Sequence, residues 1–311
     1  MAIVETHDLT KKFNGRKAVN RLNLAIEEGE LFGLLGPNGA GKSTTIGMLS
    51  TILYQTGGTA TIGGYDIRGQ PKEVRQIIGV VPQEVSLYDN LTAAENIEYF
   101  GKLHGMKGKR LHNRVNKLLK LMQLKDRAND RVKTFSSGMK DRLNLAVSLV
   151  HAPRVLFLDE PTTGLDPQAR LAVWKMIQQL RAGGITILLT THYMEEADYL
   201  CDRVAIMNNG KIIALGSPEE LKRSIGKLEI IKVKATGIPN ALLSKLRKLK
   251  GTKKVVRTSE GLRILTPTAD ALLGRIVSLI TSGGVSIDSL DVVHPTLEDV
   301  FIKLTGRVLR D

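Results

Sequence analysis

The sequence predicts an α/β fold over about the first two thirds of the chain and a smaller α+β unit after it. Three short apolar runs have the length and composition of strands buried inside a parallel sheet: residues 31–35, 155–158 and 185–189. A basic stretch with helical periodicity, residues 84–150, follows the first run. From residue 228 on, strands and helices alternate in the order βαββαβ. Strands are predicted at residues 228–235, 255–258, 263–266 and 285–292, helices at residues 240–249 and 269–281, and a last helix starts at His294. These patterns divide the chain into two domains, residues 1–222 and residues 228–311.

The first thirty residues predict a β-hairpin. Residues 3–9 and 19–26 alternate apolar and polar side chains, and Asn14-Gly15 supplies a turn between them. Phe13 stands just before that turn. It has two interpretations of equal weight, an aromatic that stacks on a nucleotide base and an edge aromatic that packs on the sheet.

A glycine-rich loop follows the first apolar run. It matches the G-x-x-x-x-G-K-[ST] pattern of a phosphate-binding loop, with the residues Gly36, Pro37, Asn38, Gly39, Ala40, Gly41, Lys42, Ser43 and Thr44. A strand before it and a helix over residues 44–53 after it would direct backbone N–H groups at phosphate oxygens. In that arrangement Lys42 reaches the β- and γ-phosphates, and the Ser43 hydroxyl ligates Mg²⁺.

The middle of the chain changes from strands to helices. Residues 57–64 and 77–81 predict strands, and Gln83 follows the second, either as a ligand of Mg²⁺ or water or as a plain turn residue. Helices are predicted within residues 84–150, at residues 93–103, 114–122 and 139–150. Ser136 and Ser137 precede the last of them. One of the two serines is either a simple N-cap or part of an anion site at the helix N-terminus.

Polar side chains end the two later apolar runs. Asp159 and Glu160 come directly after residues 155–158, and two adjacent carboxylates at the end of a buried strand are costly unless they bind something. Their pairing predicts Mg²⁺ held through Asp159 and an attacking water deprotonated by Glu160. His192 follows the strand at residues 185–189, at the sheet edge where open α/β sheets bind ligands. Asp166-Pro167 is a good helix start, and it leaves room for a functional role as well.

Composition narrows the possible partners. The hydrophobic content of 42% is sufficient for a buried core, and the one cysteine excludes an intramolecular disulfide and fits a reducing compartment. No secretory signal pattern and no run of about 18 apolar residues is present, so the sequence predicts no membrane span. The net charge of +14 fits either a solvated basic surface or attraction to anionic lipid headgroups. Aromatic content of 4%, with no stacking platform, argues against nucleic acid as a partner.

In their order and spacing these motifs resemble the ATP-binding subunits of ABC transporters. The matching motifs are the Walker A loop at residues 36–44, the Q-loop glutamine Gln83, the signature at residues 135–139, the Walker B strand at residues 155–159, the D-loop at residues 164–166 and the switch histidine His192. The resemblance covers roughly residues 1–222 and implies a P-loop NTPase (RecA-like) core. An antiparallel β subdomain and a helical subdomain at about residues 84–150 would complete this domain.

The resemblance also implies ligands and roles. It implies ATP and Mg²⁺ as cofactors, with adenine stacked on Phe13. The implied catalytic residues are Glu160, His192, Lys42 and Gln83, and the implied metal ligands are Ser43, Gln83 and Asp159. Two such subunits would dimerise head to tail as a homodimer, so that ATP lies between the Walker A loop of one chain and the signature of the other. The nucleotide contacts expected from that side are Ser136, Ser137, Gly138 and Asp166.

The signature departs from the family pattern at three places. Ser137 stands where glycine is most usual, Phe135 replaces the usual leucine, and Met139 replaces the usual glutamine. A methionine at the last place is frequent in drug-exporting subunits. The departures leave dimerisation plausible and put the closeness of the γ-phosphate contact in question.

The C-terminal part is similar to the extension of daunorubicin-resistance-type subunits. Its predicted strands and helices form a small ferredoxin-like α+β domain, and the Pro-Thr-Leu-Glu-Asp-Val-Phe stretch at residues 295–301 carries the likeness. The resemblance implies an ATPase at the cytoplasmic face of the membrane that energises a separate membrane permease, for export of drugs, lipids or other amphipathic compounds.

Two other classes of function were weighed against this one. An ABC-type ATPase that acts on ribosomes or DNA usually carries two ATPase domains or a long coiled-coil insertion, and this chain has one domain and a short insertion. A regulator that binds nucleotide without hydrolysis is disfavoured by the intact set of Lys42, Asp159, Glu160 and His192.

Overall fold

The computed structural model describes residues 1–83, 87–224, 229–293 and 295–306, which form two compact units, Met1–Ile213 and Ala214–Asp311. The strands of the first unit are β1 Ala2–Phe13, β2 Arg16–Glu27, β3 Leu31–Leu35, β4 Gly57–Ile62, β5 Tyr65–Asp66, β6 Ile78–Val81, β7 Val155–Asp159, β8 Thr186–Thr191 and β9 Arg203–Asn208. A further strand, β10 Lys211–Gly216, spans the boundary between the two units. The α-helices of the first unit are α1 Lys42–Leu49, α2 Pro71–Ile77, α3 Ala93–Leu103, α4 Gly108–Leu121, α5 Ser137–Ser148, α6 Pro167–Ala182 and α7 Met194–Leu200. Two short 3₁₀ turns lie at Lys125–Arg127 and Val132–Thr134.

The central sheet has the order β10-β9-β3-β8-β7-β6, and the four pairs β9–β3, β3–β8, β8–β7 and β7–β6 are parallel. All residues of β3, β7 and β8 are buried, which is why these strands appear in the sequence as continuous apolar runs rather than as alternating ones. In the register of the sheet Leu35 pairs with Thr191, and Asp159 pairs with Thr190. The carboxyl ends of three neighbouring strands therefore meet at one edge, beside the loop that follows β3.

A second, antiparallel sheet of order β2-β1-β4-β5 packs against the first. One apolar cluster contains Val4 and Ile26 from this sheet together with Phe32, Phe157 and Leu188 from the central sheet. The alternating burial along β1 and β2 fits a sheet with one face on that core and the other in solvent. The predicted antiparallel subdomain is confirmed.

The helical region lies between β6 and β7. Helix α3 begins at a capping box in which the Thr92 hydroxyl accepts from Glu95 N–H and the Glu95 carboxylate accepts from Thr92 N–H. Helix α4 buries Leu111, Val115, Leu118 and Leu119 at helical spacing and leaves most of its basic side chains exposed. Its Arg114 is half-buried and donates to the carbonyls of Leu149 and Val150. Both helices pack with α5, so the predicted helical subdomain is confirmed.

Several predicted boundaries differ from the structure. The helix after the phosphate loop spans Lys42–Leu49 rather than residues 44–53, because the N–H groups of Ile52 and Leu53 both turn back to the carbonyl of Gly47. Helix α4 begins six positions before the predicted residue 114, at Gly108, and the short helices α2 and α7 were not predicted. Helices of seven residues offer too few turns for a periodic pattern to stand out.

The second unit contains α8 Pro218–Ser224, β11 Glu229–Lys234, α9 Asn240–Lys248, β12 Lys254–Thr258, β13 Gly261–Thr266, α10 Ala269–Ser282, β14 Ser289–Val293 and α11 Leu297–Thr305. Its sheet has the order β12-β13-β11-β14 with antiparallel neighbours, as a ferredoxin-like βαββαβ unit requires. Apolar residues of α9 and α10, among them Leu246 and Ile276, form its core with Ile231 and Ile264 of the sheet. The predicted fold of this domain is confirmed.

In the second unit the structure corrects the predicted bounds of the last strand. The last strand covers Ser289–Val293 and not residues 285–292, since Val285 N–H still bonds to the helix carbonyl of Ile280. The predicted starts of β11 at Leu228 and of the last helical segment at His294 lie outside the described residues.

The division between the units falls earlier than the predicted gap between residues 222 and 228. The helix that precedes this gap, α8, packs on α11, and the Lys303 ammonium donates to the carbonyl of Ser224 at 3.3 Å. Helix α8 therefore belongs with the second unit. In the described parts of both units, no helix combines the length and the apolar character needed to cross a membrane.

Candidate active site

A cavity of about 820 Å³ opens beside the phosphate loop, residues 36–44. It brings together side chains from the β1–β2 hairpin, the loop, the end of β6 and the end of β7. Its lining residues are Phe13, Arg16, Lys17, Ala18, Asn38, Gly39, Gly41, Lys42, Ser43, Thr44, Gln83, Glu160, Asn209 and Gly210. A cavity of this size accommodates a nucleotide.

The loop is held by close backbone approaches that only glycine permits. A Cβ at Gly36 would stand 2.2 Å from the carbonyl oxygen of Met207, and one at Gly41 would stand 2.4 Å from that of Ala18. Gly41 also has φ of 109°, in the left-handed region, at the N-cap of α1. The N–H groups at the start of α1 consequently face the cavity, where the helix dipole favours an anion.

Lys42 is buried, and the protein supplies partners for its charge. Its ammonium donates to the carbonyls of Gly36 at 2.8 Å and Pro37 at 3.1 Å. It also pairs with Glu160 Oε1 at 3.1 Å, and the two side chains are only 4% and 7% exposed. A buried charge that lost this partner would be strongly destabilising, so each of the two residues compensates the charge of the other.

Glu160 stands in a strained and well-supported position. Its φ of 50° lies in the left-handed region, and its N–H donates to both the carbonyl and the hydroxyl of Thr190 at 3.1 Å. The second carboxylate oxygen accepts from Thr163 Oγ1 at 3.2 Å and lies 3.1 Å from His192 Nδ1. The structure thus joins the acid that follows β7 to the histidine that follows β8.

The ionisation of Glu160 follows from these neighbours. Burial raises the pKa of its carboxyl, but the charge of Lys42 and the hydrogen bond from it lower that pKa, with smaller contributions from His192 and Thr163. The net effect is a pKa below the usual value for glutamate. The carboxylate is therefore ionised near neutral pH and able to accept a proton.

Asp159 belongs to a second hydrogen-bonded group beside the first. Its Oδ1 accepts from Ser43 Oγ at 3.1 Å and from Thr190 Oγ1 at 2.5 Å. A hydroxyl and a carboxylate at this separation are the oxygen donors that Mg²⁺ prefers, and Gln83 lines the same cavity. Within the described residues no group of three or more acidic, histidine or cysteine side chains would hold a metal by itself. The residues present fit an ion bound partly by substrate phosphates.

Phe13 lies at the rim of the cavity, 45% exposed. The ammonium of Lys11 lies 4.9 Å from the centre of its ring, on one face. An aromatic ring exposed to this extent at the mouth of a nucleotide-sized cavity favours the stacking interpretation over an edge residue packed on the sheet.

Four predicted nucleotide contacts are not brought to this cavity. Ser136, Ser137, Gly138 and Asp166 do not line it, whereas most of the residues of the phosphate loop do. Ser136 is the N-cap of α5, and its hydroxyl accepts from Met139 N–H at 3.3 Å. Asp166 caps α6 through the N–H groups of Gln168 and Ala169, both at 2.9 Å. The capping interpretations of Ser136 and Asp166 are confirmed, and their nucleotide contacts stay a prediction.

The structure also adds residues that the sequence did not indicate. Arg16, Lys17 and Asn209 line the cavity from two hairpin turns. Gly210 N–H donates to the carbonyl of Ala40 at 2.9 Å, which fixes the β9–β10 turn against the phosphate loop. The sequence identified both turns as turns, but nothing local to them indicated that they meet at the loop.

Two family models match the chain in separate places. The model described as ABC transporter matches residues 19–163, and the model described as ATP-binding protein DrrA1-3-like, C-terminal domain, matches residues 216–305. The linearmycin resistance ATP-binding protein LnrL of Bacillus subtilis is 38% identical over 311 residues, which is 99% of this chain and 100% of that protein. The chain belongs to the ABC transporter family. It is an ATP-binding subunit that hydrolyses ATP in transport.

Further relatives and solved structures agree with this assignment. The daunorubicin resistance ATP-binding protein DrrA2 of Streptomyces coeruleorubidus is 39% identical over 307 residues, covering 97% of this chain and 95% of that protein. An ATP-binding subunit of an ABC transporter is similar over 72% of this chain and 93% of the other, with a TM-score of 0.66 and 29% identity. A dimeric ATP-binding cassette in a post-hydrolysis state with ADP and Pi has a TM-score of 0.63 and 26% identity, over 69% of this chain and 98% of its own. The predicted family and the P-loop NTPase fold are confirmed.

Proposed function

We propose that the cavity binds Mg-ATP and that Glu160 is the general base for its hydrolysis. The observation that carries this proposal is the contact between Lys42 and Glu160, which puts a phosphate-binding cation and an ionised carboxylate 3.1 Å apart inside the cavity. Ser43, Asp159 and Gln83 would hold the Mg²⁺ ion, which neutralises charge on the phosphates when bound. His192 holds the Glu160 carboxylate from the side away from Lys42.

Nucleotide binding would raise the basicity of Glu160. The γ-phosphate competes with Glu160 for the Lys42 ammonium, since a phosphate carries more charge than a carboxylate. With that ammonium engaged elsewhere, the main influence lowering the pKa of Glu160 weakens and burial continues to raise it. A carboxylate with a higher pKa is a stronger acceptor for the proton of the attacking water. The ion pair with Lys42 therefore restrains the base, and a phosphate that engages the ammonium relieves this restraint.

A head-to-tail homodimer would complete the site. Ser136 and Ser137 are exposed and Gly138 is half-buried at the start of α5, and none of the three lines this chain's own cavity. The N-terminus of α5, a helix of twelve residues, suits a phosphate of a nucleotide that is bound to a second chain. The dimeric cassette bound to ADP and Pi is a structural neighbour of this chain, which supports the same assembly here.

The transport partner would be a separate membrane permease, with this subunit peripheral on the cytoplasmic face. Export of drugs, lipids or other amphipathic compounds is proposed because relatives of nearly full length carry the names of linearmycin and daunorubicin resistance proteins. The docking surface is proposed at residues 84–105, of which residues 84–86 lie outside the described part. Its described part exposes an aromatic group in which the rings of Tyr88 and Tyr99 lie 4.9 Å apart.

Charge reversal on α3 tests this docking surface. Glu98→Lys together with Lys102→Glu inverts two exposed charges. These side chains form an ion pair at 2.7 Å in the unchanged protein. The exchanged pair can form the same contact, so the helix itself should remain stable. Transport by the intact assembly is expected to fall while the basal ATPase rate of the isolated subunit stays unchanged. Cross-linking from position 99 should reach the permease. Cross-links to the permease found only from the second unit would refute the proposed surface.

The second unit is proposed to have a regulatory or assembly role rather than a catalytic one. Its described residues contain no phosphate loop, and their buried charged side chain, Asp299, is paired with Arg263 at 3.1 Å. A chain ending at Gly216 keeps β10 and removes the whole unit from α8 onward. It should bind ATP with an affinity within about threefold of the full chain, which corresponds to less than about 0.7 kcal/mol. Loss of nucleotide binding by a folded truncated chain would show that the unit belongs to the site.

A further inference from the structure

A buried carboxylate outside the cavity links the two loops that carry Glu160 and His192. Glu196 lies on α7 and is 0% exposed. Its Oε1 accepts from Thr162 Oγ1 at 2.8 Å and from Trp174 Nε1 at 2.9 Å. Thr162 is itself fully buried, so water does not compete for these bonds.

The three side chains come from three separate segments of the catalytic region. Thr162 lies two residues after Glu160 and precedes the D-loop at residues 164–166. Trp174 lies on α6, the helix that Asp166 caps. Glu196 follows His192 by four residues, at the start of the helix behind it. One carboxylate oxygen therefore fixes the base segment, the helix after the D-loop and the switch histidine helix to one another.

Ring contacts along the same two helices support this linkage independently. The guanidinium of Arg170 lies 4.7 Å from the centre of the Tyr193 ring, and the Trp174 and Tyr199 rings stack at 5.0 Å. Both contacts join α6 to α7. These contacts lie at the two ends of α7, and the Glu196 carboxylate between them is the polar contact that sets how the segments are aligned.

A carboxylate is a costly choice for this position. Burial raises the pKa of the Glu196 carboxyl by more than the hydrogen bonds that it accepts, those from Thr162 and Trp174 among them, lower it. For stability alone, well-packed apolar side chains are often as good as buried charges. Directional hydrogen bonds to two donors instead specify one relative placement of the segments. The presence of an acidic side chain at this position is explained by placement rather than by stability.

We propose that Glu196 is a positioning residue for ATP hydrolysis, which holds the Glu160 segment and the His192 loop in the one arrangement where His192 contacts the base. The proposal rests on the proposed roles of Glu160 and His192. Glu196 does not line the nucleotide cavity. Its loss should therefore affect turnover and leave the affinity of the phosphate loop for ATP intact, because a displaced base costs rate without removing a binding contact.

The test is the steady-state ATPase of the full chain with Glu196→Leu and Glu196→Gln. Glu196→Leu removes the acceptor and is expected to lower kcat at least about tenfold, with KM for ATP changed less than about threefold. Glu196→Gln keeps an oxygen that accepts from both Thr162 and Trp174, so it should recover most of the lost rate. Rates are expressed per nucleotide-binding site, counted with a fluorescent ATP analogue, so that a smaller folded fraction does not count as slower chemistry.

Glu30→Leu is the matched control. Glu30 is another buried glutamate of the first unit, 8% exposed, whose carboxylate accepts from Glu27 N–H at 2.7 Å and lies 3.3 Å from Arg203. It stands before β3, at the opposite end of that strand from the phosphate loop. Its replacement should lower the melting temperature and leave kcat per site unchanged. If Glu196→Leu behaves in the same way, Glu196 has only a structural role and the proposal is overturned.

Two gentler variants keep the test decisive should Glu196→Leu fail to fold. Thr162→Val removes one donor to Glu196 with almost no change of shape. Trp174→Phe removes the other donor and leaves a smaller aromatic ring in its place, and each variant should lower kcat while sparing KM. Normal kcat in both would overturn the proposal. Glu160→Gln, assayed in parallel, separates the two levels of inference: normal turnover there refutes the base itself, whereas inactive Glu160→Gln with normal Thr162→Val and Trp174→Phe refutes only the linkage.

Discussion

The phosphate-loop cavity and the N-terminal end of α5 are both expected to contact phosphate, yet they are built in opposite ways. In the cavity, Lys42 and Glu160 are buried and satisfy each other at 3.1 Å. At α5, Ser136 and Ser137 are exposed, and Ser136 makes only the local bond of an N-cap. A buried charge needs a partner within its own chain, whereas an exposed helix end can rely on water until a ligand arrives.

This difference indicates where the nucleotide is bound first. The cavity has a fixed cation, fixed glycine backbone and a preformed pair of oxygens at Ser43 and Asp159, 3.1 Å apart. The α5 end offers N–H groups and hydroxyls without a cavity of its own. ATP should therefore bind to the phosphate loop of a single chain, and the α5 end of a second chain should act only after that.

Glu160→Gln should have the largest effect on the cavity side of this comparison. The amide keeps the size of the side chain and can still bond to Thr163, but it does not accept a proton at neutral pH. Turnover is expected to fall by about 10²–10⁴, the range for loss of a general base. ATP affinity should be retained, because the phosphate loop is unchanged, and the variant should accumulate as an ATP-bound dimer. Steady-state ATPase rates and size measurements in Mg-ATP test both expectations.

Thr163→Val is the control for this variant. It removes the hydrogen bond to Glu160 Oε2 at 3.2 Å but leaves the carboxylate and its ion pair with Lys42. Its turnover should drop far less than that of Glu160→Gln. Near-normal turnover of Glu160→Gln would exclude Glu160 as the base, and equal losses in the two variants would point to a disturbed loop instead of lost chemistry.

Mixing two inactive variants tests whether the two regions act in different chains. Lys42→Ala damages only the cavity, and Ser136→Ala damages only the α5 end. In a head-to-tail dimer of one copy of each, one site combines an intact cavity with an intact α5 end. A mixture of equal amounts should then recover about a quarter of normal activity, since half of the dimers are mixed and each has one working site. Each variant mixed with itself gives the background rate, and a mixture no faster than that background would show that the signature serves its own chain.

The sequence could predict the phosphate-loop cavity because the residues of each of its parts are adjacent along the chain. The apolar run of β3, the glycine loop and Lys42 follow one another along the chain, and Asp159 ends another buried strand, which Glu160 directly follows. A parallel sheet places the carboxyl ends of such strands together, so the meeting of these groups could be inferred. The contact between Glu160 and His192, at 3.1 Å, follows from the same rule.

The parts that the sequence missed depend on long-range packing. Arg16 and Asn209 reach the cavity because two hairpin turns far apart in the chain meet at the loop. The role of Glu196 depends on α7, a seven-residue helix too short to be recognised by periodicity. The strand predicted at residues 285–292 failed for a different reason. Val285 and Ile287 pack with the apolar core of the second unit but lie outside its last strand. Residues that are buried outside a strand can give the same apolar sequence pattern as residues of a strand.

The smallest expected effect concerns Ser137, the residue at which the signature departs from the family's usual glycine. Serine adds a Cβ that keeps a γ-phosphate slightly away, and its hydroxyl can donate to that phosphate, which recovers about 1.5–3 kcal/mol for a charged acceptor. Because the two effects nearly cancel, Ser137→Gly should change turnover by less than about tenfold, or about 1.4 kcal/mol of barrier.

Ser136→Ala supplies the comparison for that variant and should be the more damaging. It removes the N-cap of α5, which by itself costs about 0.5–2 kcal/mol of stability, and it leaves no hydroxyl in its place. Both variants are assayed at saturating Mg-ATP, with dimer formation and melting temperature measured so that loss of the cap is separated from loss of rate. If Ser137→Gly is the slower enzyme at equal dimer content, Ser137 is the serine that binds phosphate. The alignment of the signature must then shift by one residue, and the exposed hydroxyl at the first position of α5, rather than its cap, is the group that the partner's nucleotide meets.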